Sequence, residues 1–330
     1  MNMNRLLNST IVLIVTLLGN GCGNENNSDT PTPNLKEFEI LLDWQAEPTY
    51  LGVYYAKSLG LFSDLGLNVS IIQSWGANQA VSSVATGRYK ISTASGGATV
   101  LGHNKGAEIV SLGVLYPNIP SVIYGLASED IETIEDLKGK KIGIYPNSIT
   151  VNEFDAFLKA NTLSRSDFDV VSISGSDVPL LASGQVDAVL NYWEMSPAAI
   201  ETNNDFKLIR GKRTFTFKLS EHGVGGYGLN IVTSRDVLNS DEGDLVKQVA
   251  EAIIEGYRRA SQDPQNALEL FFNEFPEKDG DYVREGFRRV VELLGENFGL
   301  QTVEGWQTTL DIYDQLGLLD VEIEADSLLP

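Results

Sequence analysis

The stretch Asp43-Trp44-Gln45-Ala46-Glu47-Pro48-Thr49-Tyr50 follows an apolar strand carrying Phe38, Ile40, Leu41 and Leu42, and it opens a helix rich in aromatics, with Tyr54 and Tyr55 after Tyr50. A strand that ends in a polar and aromatic turn and then runs into a helix N-terminus is a common way for an open α/β sheet to build a small-molecule site. The turn offers Trp44 and Tyr50 as flat faces, Asp43 and Glu47 as acceptors, and the unpaired N–H groups of the new helix as donors. The remainder of the chain reads as a scaffold that places this turn opposite a second lobe.

Working outward, strands and helices alternate. Strands are predicted over 37–42, 69–73, 89–94 and 109–115, with helices over 50–62, 78–85 and 95–103 between them. Such alternation implies parallel strands with helices on both faces. After Ile119-Pro120 a second run of the same kind begins, with strands over 121–127, 142–145, 168–172 and 188–192 and helices over 151–160 and 178–183. No element is read between Tyr192 and Gly223; a glycine-rich turn and a strand over 227–232 follow. The remainder is helical. Leu245, Val249, Ile253 and Tyr257, with Val246, Ala250 and Ile254, form one apolar face, and further helices are predicted over 267–275, 282–295 and 303–317. Two sheet-containing units and a helical tail indicate a bilobed α/β protein.

The N-terminus reads as a secretory signal. Arg5 precedes an apolar run from Leu6 to Leu18, then small residues and Cys22, the only cysteine among 330 residues. The run is too short to span a membrane stably. Leu18-Gly19-Asn20-Gly21-Cys22 resembles a bacterial lipobox, which implies a diacylglycerol anchor on Cys22 after removal of residues 1–21. Residues 22–36 are nearly all polar or small and read as a lipidated flexible tether. The expected location is the cell envelope, on its periplasmic or extracellular face. Disulfides contribute nothing beyond Cys22. The formal charge of −21 opposes nucleic acid and anionic membrane surfaces as partners and exerts no long-range pull on an anionic ligand.

Several stretches, in order, carry a resemblance. They are Leu42-Asp43-Trp44, Gly52-Val53-Tyr54-Tyr55-Ala56-Lys57, Gly60-Leu61-Phe62 and Gly66-Leu67-Asn68-Val69, then Ala85-Thr86-Gly87 and Ile134-Glu135-Asp136-Leu137-Lys138-Gly139-Lys140-Lys141-Ile142-Gly143. Leu181-Ala182-Ser183-Gly184-Gln185-Val186-Asp187-Ala188, Tyr192-Trp193-Glu194, Trp306 and Leu316-Gly317-Leu318 complete the series. Together they resemble the solute-binding proteins of ABC importers, in the branch that serves thiamine pyrimidine precursors, aliphatic sulfonates and taurine. Fungal thiamine pyrimidine synthase has the same fold. The resemblance implies a type II periplasmic-binding-protein architecture: lobe I from 37–120 and 227–330, with the helical tail packed on it, and lobe II from 121–226. The chain would cross between lobes near 121–127 and 227–234, forming a hinge. It also implies ABC permease and ATPase subunits as partners and a small-molecule ligand in the cleft.

Five turns at strand ends are candidates to line that cleft: Asp43–Tyr50, Ser74–Asn78, Ser95–Thr99, Tyr145–Thr150 and Asn191–Glu194. The residues singled out for ligand contact are Asp43, Trp44, Glu47, Tyr50, Trp75, Ser95, Tyr145, Asn147, Ser148, Trp193 and Glu194. None of the five turns contains Lys or Arg. An anion such as a sulfonate or nitrate is usually gripped by arginine or by several N–H donors. Carboxylates with aromatics suit a flat, neutral or cationic nitrogen heterocycle, through stacking and acceptance of N–H bonds. In the thiamine-precursor branch a Trp and a carboxylate near the positions of Trp44 and Glu194 serve in this way, by resemblance.

Catalysis has little support in the residues. There is no Walker loop, no Rossmann fingerprint and no Ser-His-Asp order, and His103 and His222 are far apart with no spacing suited to a metal. The fungal synthase uses a cysteine-rich iron motif that has no counterpart here. The expectation is solute binding without turnover, metal or cofactor. Anion binding, a synthase-like activity and a sensor role are the alternatives.

Overall fold

The computed structural model describes residues 35–127, 130–146, 148–174, 176–203 and 213–330. The chain divides into two units at Asn34/Leu35, and every element below belongs to the second. The signal and all but the last two residues of the tether, together with Cys22 and Asn147, lie outside the described residues.

Two five-stranded sheets carry the architecture. The first has the order β2 (Leu67–Ile72), β1 (Lys36–Leu41), β3 (Ser92–Ser95), β10 (Leu229–Ser234), β4 (Ile109–Val114). The second has the order β7 (Asp169–Ser172), β6 (Lys141–Ile144), β8 (Ala188–Tyr192), β5 (Ser121–Ala127), β9 (Arg213–Lys218). β1 runs parallel to β2 and β3, whereas β10 is antiparallel to both its neighbours. In the second sheet β5 likewise runs antiparallel to β8 and β9. Purely parallel sheets, expected from the alternation, are therefore corrected. Each sheet receives one strand by a direct crossing from the other, and a crossing strand need not obey the βαβ rule. α6 (Ser196–Thr202) and β9 lie in the stretch between Tyr192 and Gly223, for which the sequence pattern predicts no element.

The two crossings lie against each other. Gly228 donates its N–H to Tyr116 O at 2.9 Å, and Tyr116 donates to Leu229 O at 2.9 Å. A Cβ at Gly228 would lie 2.4 Å from Asn118 O, so only glycine allows this approach.

Helices α1 (Leu51–Ser58), α2 (Ala77–Ala85) and α3 (Gly96–Asn104) follow β1 to β3. α4 (Thr150–Ala160) and α5 (Val178–Ser183) follow β6 and β7, and the short α7 (Arg235–Leu238) follows β10. The predicted helix over 50–62 is shorter than expected: a 3-10 turn at Pro48–Tyr50 leads into α1, which ends at Ser58, and Gly66 closes the next turn in a left-handed conformation.

The tail is α8 (Gly243–Gln262), α9 (Pro264–Glu274), α10 (Gly280–Leu294) and α11 (Val303–Gln315). α8 lies along α1 with Gly52 and Gly256 at the contact. Tyr54 packs edge-on against Phe271 and Phe275 of α9 and the residue after it. The tail packs on the first-sheet side and also reaches the second: α10 rests on α6, and α11 rests on α4. Gly256→Ala is expected to cost about 1–3 kcal/mol by overpacking, since its Cβ would sit 2.3 Å from Gly52 O and 2.6 Å from Ala56 Cβ. A urea unfolding midpoint equal to that of the parent would refute this.

Candidate functional site

The turn after β1 is built inward. Asp43 is buried; its Oδ1 accepts from Tyr50 OH at 2.9 Å and from Thr93 Oγ1 at 2.6 Å, while its N–H donates to Thr93 Oγ1. Burial raises its carboxyl above the usual range, against the pull of those two hydroxyls. Tyr50 thus stands behind Asp43, fully buried, rather than presenting an open face.

Glu47 turns toward the tail, where Lys278 Nζ lies at 3.1 Å and Tyr282 OH donates at 2.9 Å. The absence of cations from the five turns therefore does not describe their surroundings. Lys278, Lys218 and Arg289 arrive from segments outside them.

Trp44 and Trp75, on the turns after β1 and β2, meet edge to face at 6.1 Å and 82°. They are 38% and 73% exposed, so their ring surfaces are open to solvent. Exposed tryptophans at the rim of a polar turn are costly unless something stacks on them. Trp193 is different. The Arg289 guanidinium lies over its ring, Cζ 3.8 Å from the centroid, Lys218 Nζ lies at 5.2 Å, and its Nε1 donates to Glu292 Oε2 at 3.3 Å. One ring face expected for ligand is taken by α10.

Glu194 is the most telling of the predicted residues. It is wholly buried at the end of β8. Its Oε1 accepts from Thr49 Oγ1 at 3.0 Å and from Tyr116 OH at 3.4 Å, while Oε2 has no hydrogen-bond partner. Burial pushes its carboxyl up to about 7, opposed by its hydrogen bonds and, more weakly, by Arg289. Thr49 Oγ1 joins the first-sheet turn directly to the second-sheet turn.

The remaining predicted residues serve local structure. Ser95 caps α3, accepting from Ala98 N at 3.2 Å. Ser148 Oγ accepts from Thr150 N–H at 3.3 Å and Thr150 Oγ1 at 3.0 Å, at the start of α4. Tyr145 is half-buried against the apolar cluster around Val122 and Val189.

Four groups escaped the sequence reading. Glu153, in the first turn of α4, is 2% exposed and accepts a short hydrogen bond from Ser121 Oγ; burial raises it to about 7. An acid near a helix N-terminus reads as dipole compensation, which hid it. Tyr192 sits in a candidate turn but was not singled out. Burial, and then the charges of Glu153, Asp43 and Glu194, hold its proton on. Tyr313 presses its hydroxyl into the space beside Gly97. Arg289, on α10, is 1% exposed amid Val283, Gly286, Phe287 and Val290, a helical period that could have marked it as inward-facing. Among the described residues no group of three or more acids, histidines or cysteines is arranged for a metal.

The comparisons agree with this architecture. The chain is 22% identical over 315 residues to a formylaminopyrimidine-binding protein of Halalkalibacterium halodurans, covering 92% of each. It is 19% identical over 293 residues to the 4-amino-5-hydroxymethyl-2-methylpyrimidine phosphate synthase of Schizosaccharomyces pombe, covering 86% of this chain and 83% of that one. Among solved structures, the periplasmic aliphatic sulphonate binding protein SsuA from Escherichia coli superposes with a TM-score of 0.71 at 16% identity, covering 89% of this chain and 92% of that chain. The two α/β sheets with their crossings are thus the periplasmic-binding-protein fold. Residues 47–267 match the model of the NMT1/THI5 like family, and the chain belongs to that family.

Proposed function

We propose that the chain is the extracytoplasmic solute-binding component of an ABC importer and that it takes a small, flat nitrogen heterocycle of the thiamine pyrimidine precursor type between its two sheets. The observation that carries the ligand class is Glu194, whose buried Oε2 has no donor. A buried acceptor left without a partner is costly, and a ligand N–H would satisfy it. The open faces of Trp44, on the same turn as Thr49, and of Trp75 beside it supply stacking surface. The binding-protein relative named for a formylaminopyrimidine supports the same class. Lipidation at Cys22, the tether, and permease and ATPase partners complete the reading of a membrane-anchored receptor.

Binding of a sulfonate, taurine or nitrate is the weaker reading. The one deeply buried arginine among the described residues, Arg289, already gives its Nε to Glu285, Nη1 to Trp193 O and Nη2 to Glu201. The synthase relatives favour an enzyme as a second reading. His103 Nε2, however, lies 3.4 Å from Ser327 Oγ, and the His222 ring packs on Phe157 and Phe217.

The test is a calorimetric screen of the purified protein against hydroxymethyl- and formylamino-pyrimidines, thiamine, taurine, alkanesulfonates and nitrate. A pyrimidine is expected to bind, and Glu194→Gln to weaken it by about tenfold or more through loss of a charged acceptor. Binding of sulfonates alone would overturn the ligand class. Conversion of pyridoxal phosphate to a pyrimidine phosphate by the protein would replace it with the enzyme reading. Trp44→Ala and Trp75→Ala are expected to weaken the same ligand with the unfolding midpoint little changed, as both rings are exposed; unaltered affinity in both would exclude them from the site.

A further inference from the structure

We propose that Glu153 is a second ligand-binding acid of this site, so that the preferred ligand carries two separate N–H donor groups, one for Glu194 and one, able to be cationic, for Glu153. The proposal deepens the heterocycle-binding reading above and rests on it.

Placement comes first. Glu153 lies in the first turn of α4 and is held by Ser121 Oγ. Ser121 stands directly opposite Tyr192 in the β5–β8 ladder, and Glu194 follows Tyr192 by two residues. Tyr192 also packs on the cluster formed by Ile149, at the start of α4, and Tyr313. Tyr192 therefore stands across the ladder from the serine that holds Glu153 and two residues before Glu194, and after burial the charge of both acids helps to hold its proton on.

The second argument is energetic. Other enclosed acids are better provided for: Glu47 has Lys278, Glu201 and Glu285 share Arg289, and Asp43 and Asp177, without a cation, each accept from two side chains, Thr93 and Tyr50 in one case and Asn191 and Ser196 in the other. Glu153 forms no ion pair among the described residues, and its one hydrogen bond is from an uncharged hydroxyl. A glutamine would serve Ser121 equally well and avoid the cost of burying a carboxyl that ionises. An acid at this position is explained by a donor that arrives from solution. The unpartnered Oε2 of Glu194, two residues beyond Tyr192, points independently to a ligand in this region.

The experiment compares two probes on the full chain by titration calorimetry: 4-amino-5-aminomethyl-2-methylpyrimidine and 4-amino-2,5-dimethylpyrimidine, which lacks the second donor. The parent protein is expected to prefer the first by about tenfold or more, the scale of one charge-assisted hydrogen bond. E153Q should abolish that preference while keeping its affinity for the second probe, and E194Q should weaken both. A structural role for Glu153 would lower both affinities together and leave the preference intact, which would overturn the proposal. Equal binding of the two probes by the parent would overturn it without any variant. Binding of neither probe would remove the heterocycle reading itself, and this proposal with it. If E153Q does not fold, E153M, which removes the acid at similar volume, is put through the same comparison.

Discussion

Arg289→Met is expected to lower the unfolding free energy by about 3 kcal/mol, the lower end of the cost of breaking one side of a buried charge cluster. The guanidinium is 1% exposed and makes three bonds: Nε to Glu285 Oε1 at 2.8 Å, Nη1 to Trp193 O at 3.0 Å and Nη2 to Glu201 Oε2 at 2.5 Å. Methionine fills much of the volume but restores none of these, and the Trp193 ring loses the cation that covers it. The estimate sits low because Glu201 keeps some contact with water and the hydroxyl of Tyr124, and Glu285 keeps Arg288. Since the arginine joins α10 of the tail to α6 and the β8 turn, the loss should also loosen the seat of Trp193. Urea unfolding checks the value. Glu201→Gln added to Arg289→Met should recover part of the loss, because it removes the acid left unpaired. A double variant no more stable than the single one would show that the Trp193 carbonyl, not Glu201, is the partner that matters.

The second large effect is on pH. Glu153 and Glu194 each have a folded value of about 7 against an ordinary 4.5. Their folded pKa values are raised, so between about 4.5 and 7 the folded protein holds protons that the unfolded chain has released. Their contribution is full below the unfolded value and is lost as pH rises through the folded one. Each acid accounts for up to roughly 3 kcal/mol across that window. Glu285 has the opposite sign: hydrogen bonds from Arg288 hold it down to about 2, so its contribution fades only as pH falls below the usual carboxylate range. The ligand-free protein should therefore be most stable near pH 5 and weaken toward pH 8. Glu194→Gln or Glu153→Gln should each remove about half of that slope and be more stable than the parent at pH 8. Unfolding midpoints from pH 5 to 8 measure this; a stability that rises across the range would refute it. A ligand that donates to Glu194 favours its ionised form, so its affinity should increase as pH is raised through 7.

Much of the fold is legible in local pattern, since the hydrophobic period switches from two to about four at each strand–helix junction. β1, β5, α2, α4 and β8 fall within two residues of their predicted bounds. The direction of β5 and β10 is not a local property; it depends on the chain crossing between sheets, which no residue in either strand encodes. β9 is Arg-Thr-Phe-Thr-Phe-Lys, an alternating pattern lying between polar residues, and it becomes a strand by pairing with β5. In the site, Asp43 and Glu194 are legible because each follows a strand into a turn. Arg289 is not, because its partners Trp193 and Glu201 lie 96 and 88 residues away in sequence. Glu153 was hidden by a plausible local role, and only its depth and lack of a cation separate it from an ordinary first-turn acid.

The distribution of the four tryptophans gives the protein an optical gauge of its own. Trp306 is sealed in the core beside Tyr227 and out of reach of a dissolved quencher, and Trp193 is shielded by a guanidinium. Trp44 and Trp75 stand open at the rim of the candidate site. Iodide should therefore extinguish one class of emission and spare the other. A molecule settling on the exposed pair would be read directly as protection from iodide, with no label attached and no second protein present.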